Sequence, residues 1–125
     1  MDRKDALAAL AALAQETRLD VFRLLLKQAP DGVPAGEIAA RLGVVQNTMS
    51  AHLAVLSRAG LIAARRRGRV VAYAIEPRSV RDFIAFLLED CCRGAPEICA
   101  PLLDIVAGGA CDAAPGKRTK DTAPA

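Results

Sequence analysis

The sequence predicts a mainly α-helical chain with one small β-hairpin, and three observations predict it. Apolar residues recur at helical spacing from the N-terminus to Gly60. Within that stretch two short segments are joined by a glycine-led turn, Gly43-Val44-Val45. Beyond it, Leu61–Arg65 and Arg69–Ile75 read as two strands flanking Arg66-Arg67-Gly68. A chain of 125 residues fits one domain with a real core, small enough that a dimer interface would help to stabilise it. Residues 1–110 are expected to form that domain. Residues 111–125, where Pro, Gly, Lys and Thr carry no apolar period, are expected to form a disordered tail.

The first helix is expected over Asp2–Ala14, with Ala6, Leu7, Leu10, Leu13 and Ala14 on one side. Gln15-Glu16-Thr17 interrupts the pattern. Thr17 is expected to cap a second helix over Arg18–Gln28, with Asp20 at the capping-box position. Leu19, Val21, Phe22, Leu24, Leu25 and Leu26 make that helix apolar nearly all round, which places it at the centre of the core. Pro30-Asp31-Gly32-Val33-Pro34 reads as a turn. A short helix over Ala35–Leu42 turns Ala35, Ile38, Ala39 and Leu42 inward and stops at Gly43. The next, over Gln46–Ala59, sends Val45, Met49, Leu53 and Leu56 inward and Asn47, Ser50, Ala51, Ala54 and Arg58 outward. After the hairpin, Pro77 suits the first turn of a helix whose stripe is Val80, Phe83, Ile84, Leu87, Leu88 and Cys91. Gly94-Ala95-Pro96 breaks that helix, and a last one is expected over Glu97–Val106.

Composition narrows the function classes. A net charge of +3 is only mildly basic, so the placement of charge matters more than its sum. No secretory leader and no apolar run of about 18 residues is visible, so no membrane association and a cytoplasmic location are expected. In a reducing cytosol, four cysteines favour metal binding or redox chemistry over structural disulfides. No Cys-x-x-Cys, nucleophile elbow or phosphate loop is present, so no enzymatic activity is expected.

Two short helices followed by a basic hairpin are the parts of a winged helix-turn-helix. Gln46 and Asn47 carry amides that pair with adenine edges, and Thr48 adds a hydroxyl. Ser50 and Ala51 are small enough for close approach to a duplex. Arg65, Arg66, Arg67 and Arg69 would neutralise phosphates or enter a minor groove. Each of these is, alone, an ordinary solvated surface; their order along the chain is what points to double-stranded DNA. His52, the only histidine, reads as a DNA-side or packing residue, because nearby residues offer no companion ligands.

These residues carry a resemblance. Leu10 to Leu25, with Gln15-Glu16-Thr17-Arg18-Leu19 at its centre, is similar to the opening of the ArsR/SmtB metal-responsive repressors. Glu37-Ile38-Ala39-Ala40-Arg41-Leu42-Gly43 resembles that family's first motif helix. Asn47 to Leu61, with Ser50-Ala51-His52-Leu53 and Leu56-Ser57-Arg58-Ala59-Gly60-Leu61, resembles its recognition helix. The resemblance implies a homodimer packed through the first and C-terminal helices, and repression of an operator relieved by an inducer.

The inducer is sought among the cysteines. The chain lacks the Cys-x-Cys of the founding arsenic repressors and the His/Asp/Glu set of the zinc sensors. What remains is Cys91, Cys92 and Cys99, then Cys111. Soft thiolates select thiophilic ions; As(III) suits three sulfurs, and four would suit Zn(II). On one continuous helix, Cys92 and Cys99 would lie about 10 Å apart in axial rise, so the chain must fold back at Gly94-Ala95-Pro96 for them to share an ion. The sequence resembles a subgroup of the family with a vicinal cysteine pair and a third C-terminal cysteine. That resemblance implies Cys91, Cys92 and Cys99 as ligands of As(III), and of Sb(III) by the same logic. Cys111 stands as a bystander, a fourth ligand or an intersubunit partner. A disulfide between Cys91 or Cys92 and Cys99 or Cys111, in a redox-responsive repressor, is the alternative. A thiol-dependent metal-binding protein without regulatory DNA binding is a more distant one.

Overall fold

The computed structural model describes residues 1–89 and 96–105, and its first helix, α1 (Arg3–Leu13), begins just after Asp2. Asp2 is the cap: its Oδ1 accepts from the Asp5 amide at 2.8 Å, satisfying one of the free amides of the first turn. The side of α1 that packs inward is Ala6, Ala9 and Ala12, whereas Leu7 (56% exposed) and Leu10 point outward. This corrects the expectation of a leucine-led inner face. The periodicity is helical either way, but close packing selects the small side chains.

The second helix, α2 (Glu16–Lys27), is capped by Gln15, whose Oε1 accepts from the Arg18 amide at 2.8 Å. Thr17 lies inside the first turn and is not the cap. Only Val21, Phe22 and Leu25 of α2 are buried, Leu24 is partly so, and Leu19 and Leu26 are exposed, so α2 is amphipathic and not buried all round.

Val33–Pro34, expected as part of a turn, forms a short strand, β1. It is followed by α3 (Ala35–Leu42) and α4 (Gln46–Arg58). Matching glycine turns end these two helices. At Gly43 (φ +65°) the Gly43 amide reaches the Ala40 carbonyl and the Val44 amide the Ala39 carbonyl, at 3.3 and 3.0 Å. At Gly60 (φ +83°) the Gly60 and Leu61 amides reach the Ser57 and Leu56 carbonyls, at 3.0 and 3.2 Å. Both pairs satisfy carbonyls that a helix end leaves free, and both need a residue comfortable at positive φ. The turn between α3 and α4, and the exit from α4, are thereby set.

Strands β2 (Ile62–Arg67) and β3 (Val70–Ile75) complete a three-stranded antiparallel sheet in the order β1-β3-β2. Arg67 pairs with Val70, so the hairpin loop is Gly68-Arg69, and Arg66 and Arg67 belong to β2 instead of the expected turn. Glycine at the first loop position, at φ +65°, is what a two-residue hairpin favours.

The core is centred on Val21 and Leu25 of α2, Ile38 of α3, Met49, Leu53 and Leu56 of α4, and Leu61, all essentially inaccessible. Val45, expected inward, is 72% exposed; it precedes the first turn of α4 and is its cap residue. Helix α5 (Pro77–Leu88) adds Val80 and Phe83 to the core and leaves Ile84 and Leu87 exposed.

The chain divides into two compact units, Met1–Phe86 and Leu87–Ala125. In the second, helix α6 (Pro96–Ile105) starts on a proline, as a first helical turn allows, and Pro101 inside it has no amide to donate to the Glu97 carbonyl. The expected reversal at Gly94-Ala95 and the boundary between residues 110 and 111 lie outside the described residues. No helix among the described residues is long and apolar enough to cross a membrane.

Candidate nucleic-acid interface

Helix α4 presents two unlike sides. Met49, Leu53 and Leu56 anchor it in the core, so Asn47, Ser50, Ala51, Ala54 and Arg58 are forced onto the opposite, exposed side. These side chains are short apart from the terminal Arg58, which leaves the helix backbone open to close approach. Gln46 and Thr48 are exposed at the leading turn. A Cβ built on Gly36 would lie 3.9 Å from Gln46 Nε2, so the Gln46 amide sits beside the first turn of α3, at the joint of the two motif helices. Val45 provides no side-chain cap, and the leading amides of α4 bring the positive end of its dipole to the surface.

His52 is placed differently from the other candidates on α4. It is half-buried, and its Nδ1 lies 3.3 Å from Nη1 of Arg18 on α2. A guanidinium can only donate, so Nδ1 is the acceptor and the ring proton is on Nε2. Arg18 itself was not singled out by the sequence. Its partner is 34 positions away, and no local signal announces such a pair.

The hairpin splits its arginines between two faces. Directly paired residues share a face, so Arg65 and Arg67 lie with Ala72 and Val70, and Arg66 lies with Val71 on the other. Arg69 occupies the loop. All four are exposed, and among the described residues none has a carboxylate within ion-pair distance; the described salt bridge joins Glu37 and Arg41 on α3. Their charge is therefore available to a ligand. Val70 and Val71, exposed beside them, were read in the sequence only as strand residues.

Cys91, Cys92 and Cys111 lie outside the described residues, and of Cys99 only its place on α6 is described. Among the described residues no three metal-ligating side chains come together.

A family model described as a helix-turn-helix domain matches residues 13–65. The transcriptional activator HlyU of Vibrio cholerae is 34% identical over 82 residues, 66% of this chain and 73% of HlyU. A structure of reduced HlyU is matched at 32% identity and a TM-score of 0.56, covering 69% of this chain and 87% of that one. The homodimeric winged helix-turn-helix DNA-binding domain of Mb0332 from Mycobacterium bovis, described as a possible ArsR-family regulator, is 31% identical. Its alignment covers 73% of this chain and 88% of that one, with a TM-score of 0.56. A possible transcriptional regulator for arsenical resistance is 26% identical, with a TM-score of 0.57, over 66% of this chain and 83% of that one.

Proposed function

This chain belongs to the ArsR family of winged helix-turn-helix transcriptional regulators, and we propose that it is a cytoplasmic, homodimeric repressor that releases operator DNA when Cys91, Cys92 and Cys99 take up As(III). The observation that carries the DNA half is the outer side of α4, lined by Asn47, Ser50, Ala51 and Ala54, together with the uncompensated arginines of the hairpin. In this reading α4 enters the major groove, where Gln46, Asn47, Thr48 and Ser50 meet base edges and Ala51 allows the approach. Arg65, Arg66, Arg67 and Arg69 hold phosphates on either side of the hairpin or enter the minor groove.

A dimer suits the exposed leucines Leu7 and Leu10 on α1 and the exposed Ile84 on α5. Two copies would present two α4 helices to a two-fold symmetric operator.

The inducer assignment rests on the donor set. Three thiols without an imidazole fit a pyramidal three-sulfur ion such as As(III) or Sb(III). One matched protein is described as a possible regulator for arsenical resistance, which favours the same choice. Thiols must be deprotonated to ligate, and joining residues 91, 92 and 99 would bias the dimer away from the spacing the operator requires. A hundredfold loss of DNA affinity needs only about 2.7 kcal/mol of such coupling.

A second reading, a disulfide between Cys91 or Cys92 and Cys99 or Cys111, is favoured by the match to a relative solved in its reduced form. Gel shifts with arsenite, with peroxide and with neither, for the wild type and Cys92→Ser, separate the two. Release by arsenite that Cys92→Ser abolishes is expected. Release by peroxide alone selects the disulfide reading, and indifference to both removes the inducer assignment.

A further inference from the structure

We propose that Arg18 is a positioning residue that ties the recognition helix α4 to α1, so that the setting of α4 on DNA follows the setting of α1. The proposal rests on the reading of α4 as the DNA-reading helix.

Arg18 is anchored at three points. Its amide donates to Gln15 Oε1, which holds the joint between α1 and α2. Its Nε donates to the carbonyl of Ala12 at 2.6 Å, one of the carbonyls that the end of α1 leaves without an intrahelical donor. Its Nη1 donates to Nδ1 of His52. One half-buried guanidinium thus bridges two helices from a third. His52 lies between Ala51, on the outer side of α4, and Leu53, in the core, so any rotation of α4 about its axis displaces this ring from Arg18.

An open groove of about 370 Å³ runs beside Arg18, lined by Ala8, Ala11 and Ala12 of α1, Val55 and Arg58 of α4, and Ala59. On the α1 side the contact is made by closely packed alanines, whose short side chains resist a rotation of α4 about its axis less than a directed hydrogen bond does. A guanidinium with fixed donor geometry supplies that constraint.

Arg18→Lys keeps the charge but cannot present two donors in that fork, and His52→Leu removes the acceptor. His52→Asn restores it, because Oδ1 stands where Nδ1 stood. The probe is a duplex enriched by the wild-type protein from a random-sequence library, with an unrelated duplex as control, read by fluorescence anisotropy.

Arg18→Lys and His52→Leu are each expected to weaken binding to the enriched duplex about tenfold. The double variant should be no weaker than either single one, His52→Asn should lie near the wild type, and the control duplex should be bound equally by all. Additive losses overturn the proposal. So does a loss with His52→Leu that His52→Asn does not recover, or one without any effect of Arg18→Lys, since both mean that His52 meets DNA directly. An asparagine amide can also meet a base edge, so recovery by His52→Asn supports the proposal only together with the non-additive double variant, and recovery with additive losses overturns it. If the wild type enriches no sequence, the reading of α4 fails, and this proposal with it.

Discussion

Leu56 and Leu61 meet across Gly60, with the Leu61 amide donating to the Leu56 carbonyl at 3.2 Å and both side chains fully buried. That closure ends α4 and starts the chain into β2, so it couples the exit of the helix to the position of the hairpin. It depends on Gly60 holding φ +83°.

Gly60→Ala and Gly43→Ala are therefore expected to destabilise the fold by about 1–2 kcal/mol each, the cost of a left-handed conformation in a residue with a Cβ. Space is not the obstacle. An added Cβ at Gly60 would lie 3.6 Å from Ser79 Oγ, and at Gly43 nothing lies within 4 Å. Gly36→Ala is the control. It sits in α3 with ordinary contact to Gln46, and it should be neutral or stabilising by about 0.4–1 kcal/mol. Urea unfolding of the three variants should rank them in that order, and equal costs at positions 36 and 60 would remove the conformational explanation.

Ser57 contributes its carbonyl to the same closure, yet its Oγ is buried without a hydrogen-bond partner among the described residues. A hydroxyl in that condition has lost water and gained nothing in exchange. Ser57→Ala should leave the melting temperature unchanged or raise it. A clear fall would mean that the hydroxyl has a partner in the dimer or elsewhere in the chain.

The two sides of α1 give opposite expectations. Ala9 is completely buried, so Ala9→Leu overpacks the core and should cost about 1–3 kcal/mol. Leu7 is exposed in the single chain, so Leu7→Glu should spare the protomer fold but shift sedimentation from dimer to monomer. If Leu7→Glu stays dimeric at micromolar concentration, the outward leucines serve some other contact.

Legibility in the sequence followed the range of the interactions. The helices α3 and α4 and their terminal glycines were readable because apolar period and a positive-φ residue are local signals. The inner face of α1 was misread because alanine and leucine count alike in a periodicity, and only packing distinguishes them. β1 was invisible: it is two residues long, includes a proline and exists only by pairing with Tyr73 and Ala72 far along the chain. The hairpin loop was misplaced because Arg66-Arg67-Gly68 does not reveal whether its glycine opens or closes the loop; the pairing of Arg67 with Val70 decides it. Of the candidate site, the exposed side of α4 and the arginines could be named in advance. The link from His52 to Arg18 could not, because it spans two helices with no pattern between them.

The split of the arginines separates affinity from specificity. A side chain that neutralises a phosphate contributes about 0.9 to the slope of log K against log salt and nothing to the choice of sequence. Arg65 and Arg67 share a face with Val70, and Arg66 shares the other with Val71, so a single phosphate row cannot engage all three. If the hairpin straddles the backbone, Arg66→Ala and the pair Arg65→Ala/Arg67→Ala should both flatten the salt dependence, the pair by about twice as much per protomer. If it lies flat on one strand, only one of the two changes will register. Neither should alter the ranking of operator variants, whereas Asn47→Ala on α4 should weaken the best sequence by about 1–3 kcal/mol and leave the salt slope intact. Binding isotherms at several salt concentrations, run on the enriched duplex and single-base variants of it, measure both quantities in one data set. A change in sequence ranking on removing the arginines would place the hairpin inside a groove, reading shape or base edges rather than charge.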